Sequence, residues 1–504
     1  MPSTLDPRPR PLDHLAERGK AGAPALVLRG GTLNHEDLRT RVGKLAAWLT
    51  DRADKGDRIA SWAAKGEATC LLPLACARAG LVHVPVNPLL KRMQVAHIMT
   101  DSGAVLLVAN RARLGSLADG DLPPGCACVA EEDLWAQVEQ CDPLGPSDHD
   151  PGDLAAILYT SGSTGQPKGV MLSHGNMWLG AVSVAHYLDL ASDDVTLGVL
   201  PLSFDYGQNQ LLSTWYAGGC VVPLDYLMPK DVVKACSRHG VTTLAAVPPL
   251  WVQLVEIDWP EDAARRMRRL TNSGGALTEG LVRSLRQLFP KARLFPMYGL
   301  TEAFRSTYLD PALVDSHPTS MGKAIPFAEI LVIDDDGNVA ADDAEGELVH
   351  AGPLVAQGYW QDAERTAERF RPAPRASQYG GTAVWSGDRV RRAADGLLYF
   401  VGRRDAMIKS AGNRISPQEV EDAAVATGLV AEAVAVGLPD ERLGHAVSLA
   451  VRPLAGFDLE TFRKALAAAL PNFMLPRTVR AYAELPRNPN GKLDRNALAA
   501  EMAA

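Results

Sequence analysis

The chain has 504 residues, 47% of them apolar and 22% charged, with a formal net charge of -8. That is an ordinary globular composition, long enough for about three domain-sized units. The negative balance argues against non-specific nucleic-acid binding, and no uninterrupted apolar run reaches the roughly 18 residues of a membrane span.

In chain order, "HEDLRTRVGKLAAWLTDR" places Leu38, Val42, Leu45 and Leu49 on one helical face. A strand in "DRIASWAA", a buried helix in "CLLPLACARAG" and a strand in "LVHVPVN" follow, then a helix in "LLKRMQVAHIMTDSG" and a strand in "AVLLVA". This βαβ rhythm predicts parallel sheets covered by helices. Residues 112–150 read as turn-rich connectors. A second α/β block from about 154 to 320 includes "VTLGVLPLSF", "CVVPLD", "VTTLAAVPP", "RRLTNSGGAL" and "KARLFPMYG". From about 325 to 400 short strands take over, with hairpin signals at "DDDGN" and "AADGLLYF". After Asp405 the chain restarts as a compact block, helices in "SPQEVEDAAVATG" and "DLETFRKALAAAL" flanking strands in "VAEAVAVGLP" and "AVSLAVRP". A domain boundary is therefore expected near Asp405, dividing 1–404 from 405–504.

The seven cysteines show no metal-ligand spacing and are expected as buried free thiols in a reducing compartment. Cys126-Ala-Cys128 is expected in a small turn. The N-terminus "MPSTLDPRPRPLDHLAERG" lacks an apolar segment of the secretory kind, so the expected location is cytoplasmic.

The stretch Tyr159-Thr-Ser-Gly-Ser-Thr-Gly-Gln-Pro-Lys-Gly169 packs three glycines, four hydroxyl side chains other than the tyrosine and one lysine behind the apolar run Leu154–Leu158. Glycines let backbone N–H groups approach oxygens closely, hydroxyls add donors and the lysine adds charge, a combination suited to polyphosphate. A surface turn rich in Ser and Gly is the alternative. The apolar Gly169-Val-Met-Leu172 that follows predicts a strand–loop–strand unit. The stretch departs from the Walker-type phosphate loop, because Lys168 lies between Pro167 and Gly169 and opens no helix.

Four more clusters carry chemistry. "MYGLTEAFRSTY" offers Tyr298, Gly299, Thr301 and Glu302 after a strand. An aromatic face, a close-approach glycine, a hydroxyl and a carboxylate suit a base, a phosphate and Mg²⁺, although Thr301 alone would serve as a helix cap. "SGGAL", Ser273 to Leu277, is a strand-end turn where a flat ligand could lie on the backbone. Asp388 follows Gly387 in an expected turn, where it would chelate two ribose hydroxyls or make an Asx-turn. Lys492 stands in "NPNGKLDR", which by spacing alone is an exposed turn.

The order of these clusters, with the hinge-like "GRRDAMIKSAGNRISPQEVE" and the terminal "NPNGKLDRNAL", resembles the AMP-forming acyl-activating superfamily of acyl-CoA synthetases, nonribosomal peptide synthetase adenylation domains and luciferases. The likeness runs from about residue 24 to 498. It implies an α/β multidomain fold: a large N-terminal domain of α/β subdomains with a small β-barrel-like part, then a small mobile C-terminal α+β domain. It also implies an ATP-dependent ligase that joins a carboxylic or amino acid to AMP. The acyl group would then pass to the pantetheine thiol of CoA or of a separate carrier protein. By resemblance, Thr160, Ser161, Gly162, Ser163, Thr164, Gly165 and Lys168 cradle the β- and γ-phosphates. Gly275 and Ala276 line the adenine, Tyr298 stacks on it and Gly299 belongs to the same nucleotide site. Thr301 touches the α-phosphate and Glu302 binds Mg²⁺. Asp388 takes the ribose hydroxyls with Arg403 beside it. Asp405 is the hinge, Gly412 lies on the face offered to the thiol, and Lys492 is the catalytic lysine.

The acid itself is addressed by "LPLSFDYGQNQLL". Phe204-Asp205 resembles the Phe-Asp of many amino-acid-activating members, whose Asp pairs with the substrate ammonium. Buried unpaired, such a carboxylate costs several kcal/mol; as a cap on a helix starting near Gly207 it would need no substrate. A free-standing amino-acid adenylation enzyme loading a carrier protein in trans therefore stands beside the general acyl ligase. A non-catalytic nucleotide-binding homologue is the third reading, set against the intact Lys168, Glu302, Asp388 and Lys492.

Overall fold

A computed structural model describes residues 5–161, 167–403, 408–410, 413–440, 443–489 and 491–503. Ser161 keeps its backbone place, whereas Gly162, Ser163, Thr164, Gly165, Asp405 and Gly412 lie outside the described residues.

The expected βαβ rhythm of the first hundred residues builds a seven-stranded sheet. Its order is Gly358–Tyr359, Pro167–Ser173, Leu154–Ser161, Val82–Pro85, Arg58–Trp62, Leu106–Ala109, Ala127–Ala130. The last four strands are mutually parallel; Val82–Pro85, Arg58–Trp62 and Leu106–Ala109 are buried almost throughout, as expected of a sheet covered on both faces, whereas the edge strand Ala127–Ala130 exposes Ala127 and Cys128. Helix His35–Thr50 begins at a capping box: the Asn34 side chain accepts from the Asp37 N–H, and the Asp37 carboxylate accepts from the Asn34 N–H.

The second sheet has a parallel centre in the order Arg293–Tyr298, Arg269–Asn272, Thr243–Ala246, Val195–Gly198, Cys220–Pro223, Pro24–Leu28. From Tyr298 it continues antiparallel through Thr307–Tyr308, Ser320–Ala324, Leu398–Arg403, Thr382–Arg392, Glu345–Ala351 and Glu329–Ile333, the part expected as barrel-like. Helices His174–Tyr187 and Asp205–Tyr216 pack on one another, and one apolar core joins them to both sheets.

Residues from Ile408 onward make a third sheet, Asn413–Ile415, Ile408–Ser410, Gly444–Pro453 and Val430–Asp440, with Thr478–Ala481 beside Gly444–Pro453. It has its own cores around Phe462 and around Leu498. Arg452 reaches back across the cleft to Glu256 (3.0 Å), and the Asn87 amide donates to the Pro489 carbonyl (3.0 Å).

The cysteines are free: Cys70, Cys76, Cys220 and Cys236 are buried, Cys126 and Cys141 half-buried and Cys128 exposed. The turn expected at Cys126–Cys128 is instead the entry to strand Ala127–Ala130, because parallel pairing with Leu106–Ala109 claims these residues. No helix of the described residues is long and apolar enough to cross a membrane.

Candidate active site

The parallel strands of the second sheet end along one edge, where open α/β sheets place their ligands. Phe204-Asp205 comes in shortly after Val195–Gly198, Ser273 to Ala276 directly after Arg269–Asn272, and Tyr298 at the end of Arg293–Tyr298. A cleft of about 1590 Å³ runs from this edge to the third sheet. Thr160, Lys168, Phe204, Asp205, Gly275, Ala276, Tyr298, Gly299, Thr301, Glu302, Asp388, Arg403 and Lys492 all line it. Residues more than 300 positions apart are thus brought to one place.

Both strands of the expected strand–loop–strand unit are present: Leu154–Ser161 runs antiparallel to Pro167–Ser173, with Thr160 opposite Lys168, and 162–166 between them lie outside the described residues. The buried Thr160 hydroxyl has no partner among the described residues. Lys168 donates to the Tyr359 hydroxyl (2.6 Å) and lies 3.3 Å from Glu302 Oε1, to which Tyr359 also donates (2.6 Å). Burial alone would push the Glu302 carboxyl up. Lys168 and the Tyr359 hydrogen bond outweigh it and hold the group below the usual range. Burial also pulls the Lys168 ammonium down, against the support of Glu302. Tyr359 escaped sequence reasoning; its only signal is an aromatic pair in "QGYW", uninformative until Gly358–Tyr359 pairs with Met171 and Val170.

Thr301 does not cap a helix. It opens a 3₁₀ turn, Thr301–Ala303, and its hydroxyl donates to Asp205 Oδ1 (3.2 Å). Asp205 is likewise no cap: helix Asp205–Tyr216 starts one residue after Phe204, so the carboxylate projects from the first helical position into the cleft. It is 4% exposed, and burial raises its pKa against the pull of Arg305 and Lys492. Arg305, which the sequence did not single out, is placed by Phe304. That residue adopts φ 57°, and its ring fills a notch at Gly180, where a Cβ would lie 2.1 Å from Cδ1. Gly299 is also explained by Arg305, whose Cα would lie 3.1 Å from a Cβ there.

Asp388 belongs to strand Thr382–Arg392 rather than to an Asx-turn, since antiparallel pairing sets it opposite Arg403. The Tyr298 hydroxyl donates to its Oδ2, and Arg403 Nε lies 3.1 Å from its Oδ1. At the other wall, Gly274 takes φ +81° and Asn272 donates to the Gly275 carbonyl (2.9 Å), shaping the turn into a cradle.

Lys492 is not an exposed surface lysine. Its ammonium stands 5.0 Å from the Phe204 ring centre, and its Cε occupies the space a Cβ on Gly274 would need, 2.8 Å away. Asn488 shapes the turn: its side chain accepts from the Lys492 N–H (3.0 Å) and its own N–H donates to the Lys492 carbonyl (2.8 Å). Burial lowers the Lys492 pKa, Asp205 raises it, and Arg403 and Arg305 lower it further.

Known proteins resemble this chain over nearly its full length. Residues 12–360 match the family described as AMP-binding enzyme, and residues 419–492 its C-terminal domain. An L-proline–[L-prolyl-carrier protein] ligase of Pseudomonas fluorescens is 31% identical, covering 95% of this chain and 96% of its own. The ligase of the same name from Streptomyces coelicolor is 31% identical over 94% and 93%. Among solved structures, ATP-bound MatB from Rhodopseudomonas palustris superposes with a TM-score of 0.88 at 25% identity, over 98% of this chain and 99% of that one. Two family matches and two full-length relatives thus accompany a cleft assembled from distant segments, and the chain belongs to the AMP-binding enzyme family of adenylate-forming ligases.

Proposed function

We propose that this ligase activates an amino acid and delivers it to the pantetheine thiol of a separate carrier protein. The observation that carries the reading is Asp205: a buried carboxylate at the cleft wall, on the first helical residue rather than at the N-cap, suits a substrate ammonium. The carrier-protein ligases that match along their whole length support the acceptor. CoA is the second acceptor, favoured by the likeness to a Bacillus subtilis o-succinylbenzoate CoA synthetase, TM-score 0.83 at 25% identity.

The first half-reaction joins two anions: a carboxylate oxygen attacks the α-phosphorus and pyrophosphate leaves. Lys168, with Thr160 to Gly165 by resemblance, holds the outgoing phosphates. Lys492 bridges the attacking carboxylate and the α-phosphate, where charge accumulates in the transition state. Tyr298, with Gly275 and Ala276, flanks the adenine, and Asp388 with Arg403 receives the ribose. Gly299 completes the nucleotide site, and Thr301 meets the α-phosphate. The fit for Mg²⁺ is good: the Glu302 carboxyl is held ionised, and Mg²⁺ takes one or two carboxylates together with phosphate oxygens. Bound there, Mg²⁺ would neutralise phosphate charge. In the second half-reaction the thiol attacks the acyl carbonyl and AMP departs, which requires Lys492 to withdraw. By resemblance, Asp405 would be the pivot between units 1–404 and 405–504 and Gly412 would serve the thiol; both lie outside the described residues.

ATP–pyrophosphate exchange over a panel of amino, aryl and fatty acids tests the acid. Transfer of the labelled acyl group to holo-carrier protein and to CoA tests the acceptor. Exchange led by acids without an amino group, or transfer to CoA alone, would overturn this reading.

A further inference from the structure

Among the described residues three arginines line the cleft, and two of them meet a carboxylate there. Arg403 lies 3.1 Å from Asp388, and Arg495 pairs with Glu421. Arg369 is the third, the last residue of helix Ala363–Arg369. Its Nη1 donates to the Trp385 carbonyl (3.1 Å), and it makes no ion pair among the described residues. A guanidinium has five N–H donors, so most of its capacity is left for the cleft.

Its place is fixed from two sides. Thr366 Oγ1 accepts from the Tyr359 N–H (2.9 Å), and Phe370 packs edge-on against the Tyr359 ring, centres 5.4 Å apart. Arg369, between these two residues, is thereby carried to the side of Tyr359, whose hydroxyl joins Lys168 to Glu302. Opposite, Gly387 takes φ +69°, and a Cβ there would lie 2.6 Å from Arg369 Nη1. The glycine before Asp388 therefore leaves the room in which the guanidinium sits. Burial lowers the Lys168 pKa most, and the Arg369 charge lowers it further, so the two cations feel one another. Two positive groups and one carboxylate share this end of the cleft, an arrangement relieved by an incoming anion.

The neighbours name the anion. A triphosphate carries more charge than one divalent ion offsets, Lys168 is already shared with Glu302, and Lys492 is committed to the attacking carboxylate and the α-phosphate. As the carboxylate oxygen bonds to the α-phosphorus, the bond from that phosphorus to the bridging oxygen breaks. Its electron pair leaves with pyrophosphate, and no proton moves. Negative charge grows on the leaving group, where a donor-rich cation stabilises the transition state more than the ground state.

We infer that Arg369 is a further catalytic residue of adenylation, contacting the outer phosphates and stabilising pyrophosphate as it leaves. The inference rests on the reading that Lys168 and Glu302 serve the phosphate end, so Lys168→Gln is measured beside Arg369→Gln and Arg369→Lys. ATP–pyrophosphate exchange gives kcat and the KM for pyrophosphate, and competition against ATP gives the affinity for AMP. Arg369→Gln should lower kcat/KM for pyrophosphate by about 30-fold, the scale of a lost hydrogen bond to a charged group. AMP affinity and acyl transfer from supplied acyl-AMP should stay unchanged, since neither involves the outer phosphates. Arg369→Lys should recover part of the loss, keeping the charge without the planar fork. Pyrophosphate and AMP weakened alike would make Arg369 a support for the strand of Asp388 and overturn the inference. So would unchanged pyrophosphate handling in Arg369→Gln while Lys168→Gln impairs it. Unchanged handling in both would overturn the phosphate placement itself. Should Arg369→Gln not fold, Arg369→Lys decides on the same comparison of pyrophosphate with AMP.

Discussion

Asp205 serves more than one neighbour, which gives its removal a distinctive pH signature. It accepts from Thr301, faces Arg305 and supports the proton on Lys492. The Lys492 pKa lies below the ordinary lysine value of 10.5 because burial disfavours its charge. If the protonated form is the one that acts, adenylation falls as pH rises through that lowered value. Asp205→Asn deletes the negative charge that raises it, so the pKa drops further and the alkaline limb of adenylation moves to lower pH. Rates at saturating acid across neutral to alkaline pH check this; an unmoved limb would show that Asp205 does not sustain the Lys492 proton. The identity of Asp205 was legible in the sequence, but its orientation was not. Cap and first helical position differ by one residue, within the usual uncertainty of a helix boundary. Arg305 was less legible still, because what aims it is the positive φ of Phe304, a backbone feature without a sequence signal in a non-glycine residue.

The turn after strand Arg269–Asn272 was readable as a ligand cradle from its glycines, and the two glycines do different work. Gly275 approaches Pro248, whereas Gly274 holds a left-handed φ of +81° and leaves the space that Lys492 enters. Gly274→Ala adds a methyl group 2.8 Å from Lys492 Cε in a backbone conformation that alanine resists. The strain should cost about 1 kcal/mol of stability, visible as a lowered Tm. Pushing the lysine aside should cost adenylation about 100-fold, the scale for a group misplaced by about 1 Å. Thioester formation from supplied acyl-AMP should survive, because that step does not use Lys492. Unchanged adenylation would mean that the lysine works from another position. Strand and helix patterns were the most legible feature at this scale, since both sheets rest on apolar runs. The entry strand at Cys128 was misread because pairing with Leu106–Ala109 overrides its weak local signal.

Across the whole molecule, one domain lends a residue to a site built by the other. Lys492→Ala should therefore abolish adenylation and leave acyl transfer from supplied acyl-AMP largely intact; equal loss of both would refute the division of labour between faces of the C-terminal unit. The order of the motifs made the family legible, but no sequence pattern shows which segment joins the two large sheets. Residues 345–392 do so: Glu345–Ala351 and Phe370–Pro372 pair with Thr382–Arg392 in one sheet, while Gly358–Tyr359 pairs with Pro167–Ser173 in the other. Tyr359 sits at that crossing and joins Lys168 of the first sheet to Glu302, in the turn between strands Arg293–Tyr298 and Thr307–Tyr308 of the second. The segment works as a basting stitch. Cut anywhere between the crossings, the chain would keep two intact layers and lose their alignment, so the grip on the nucleotide's phosphates would slacken while spectroscopic measures of folding still registered a native protein.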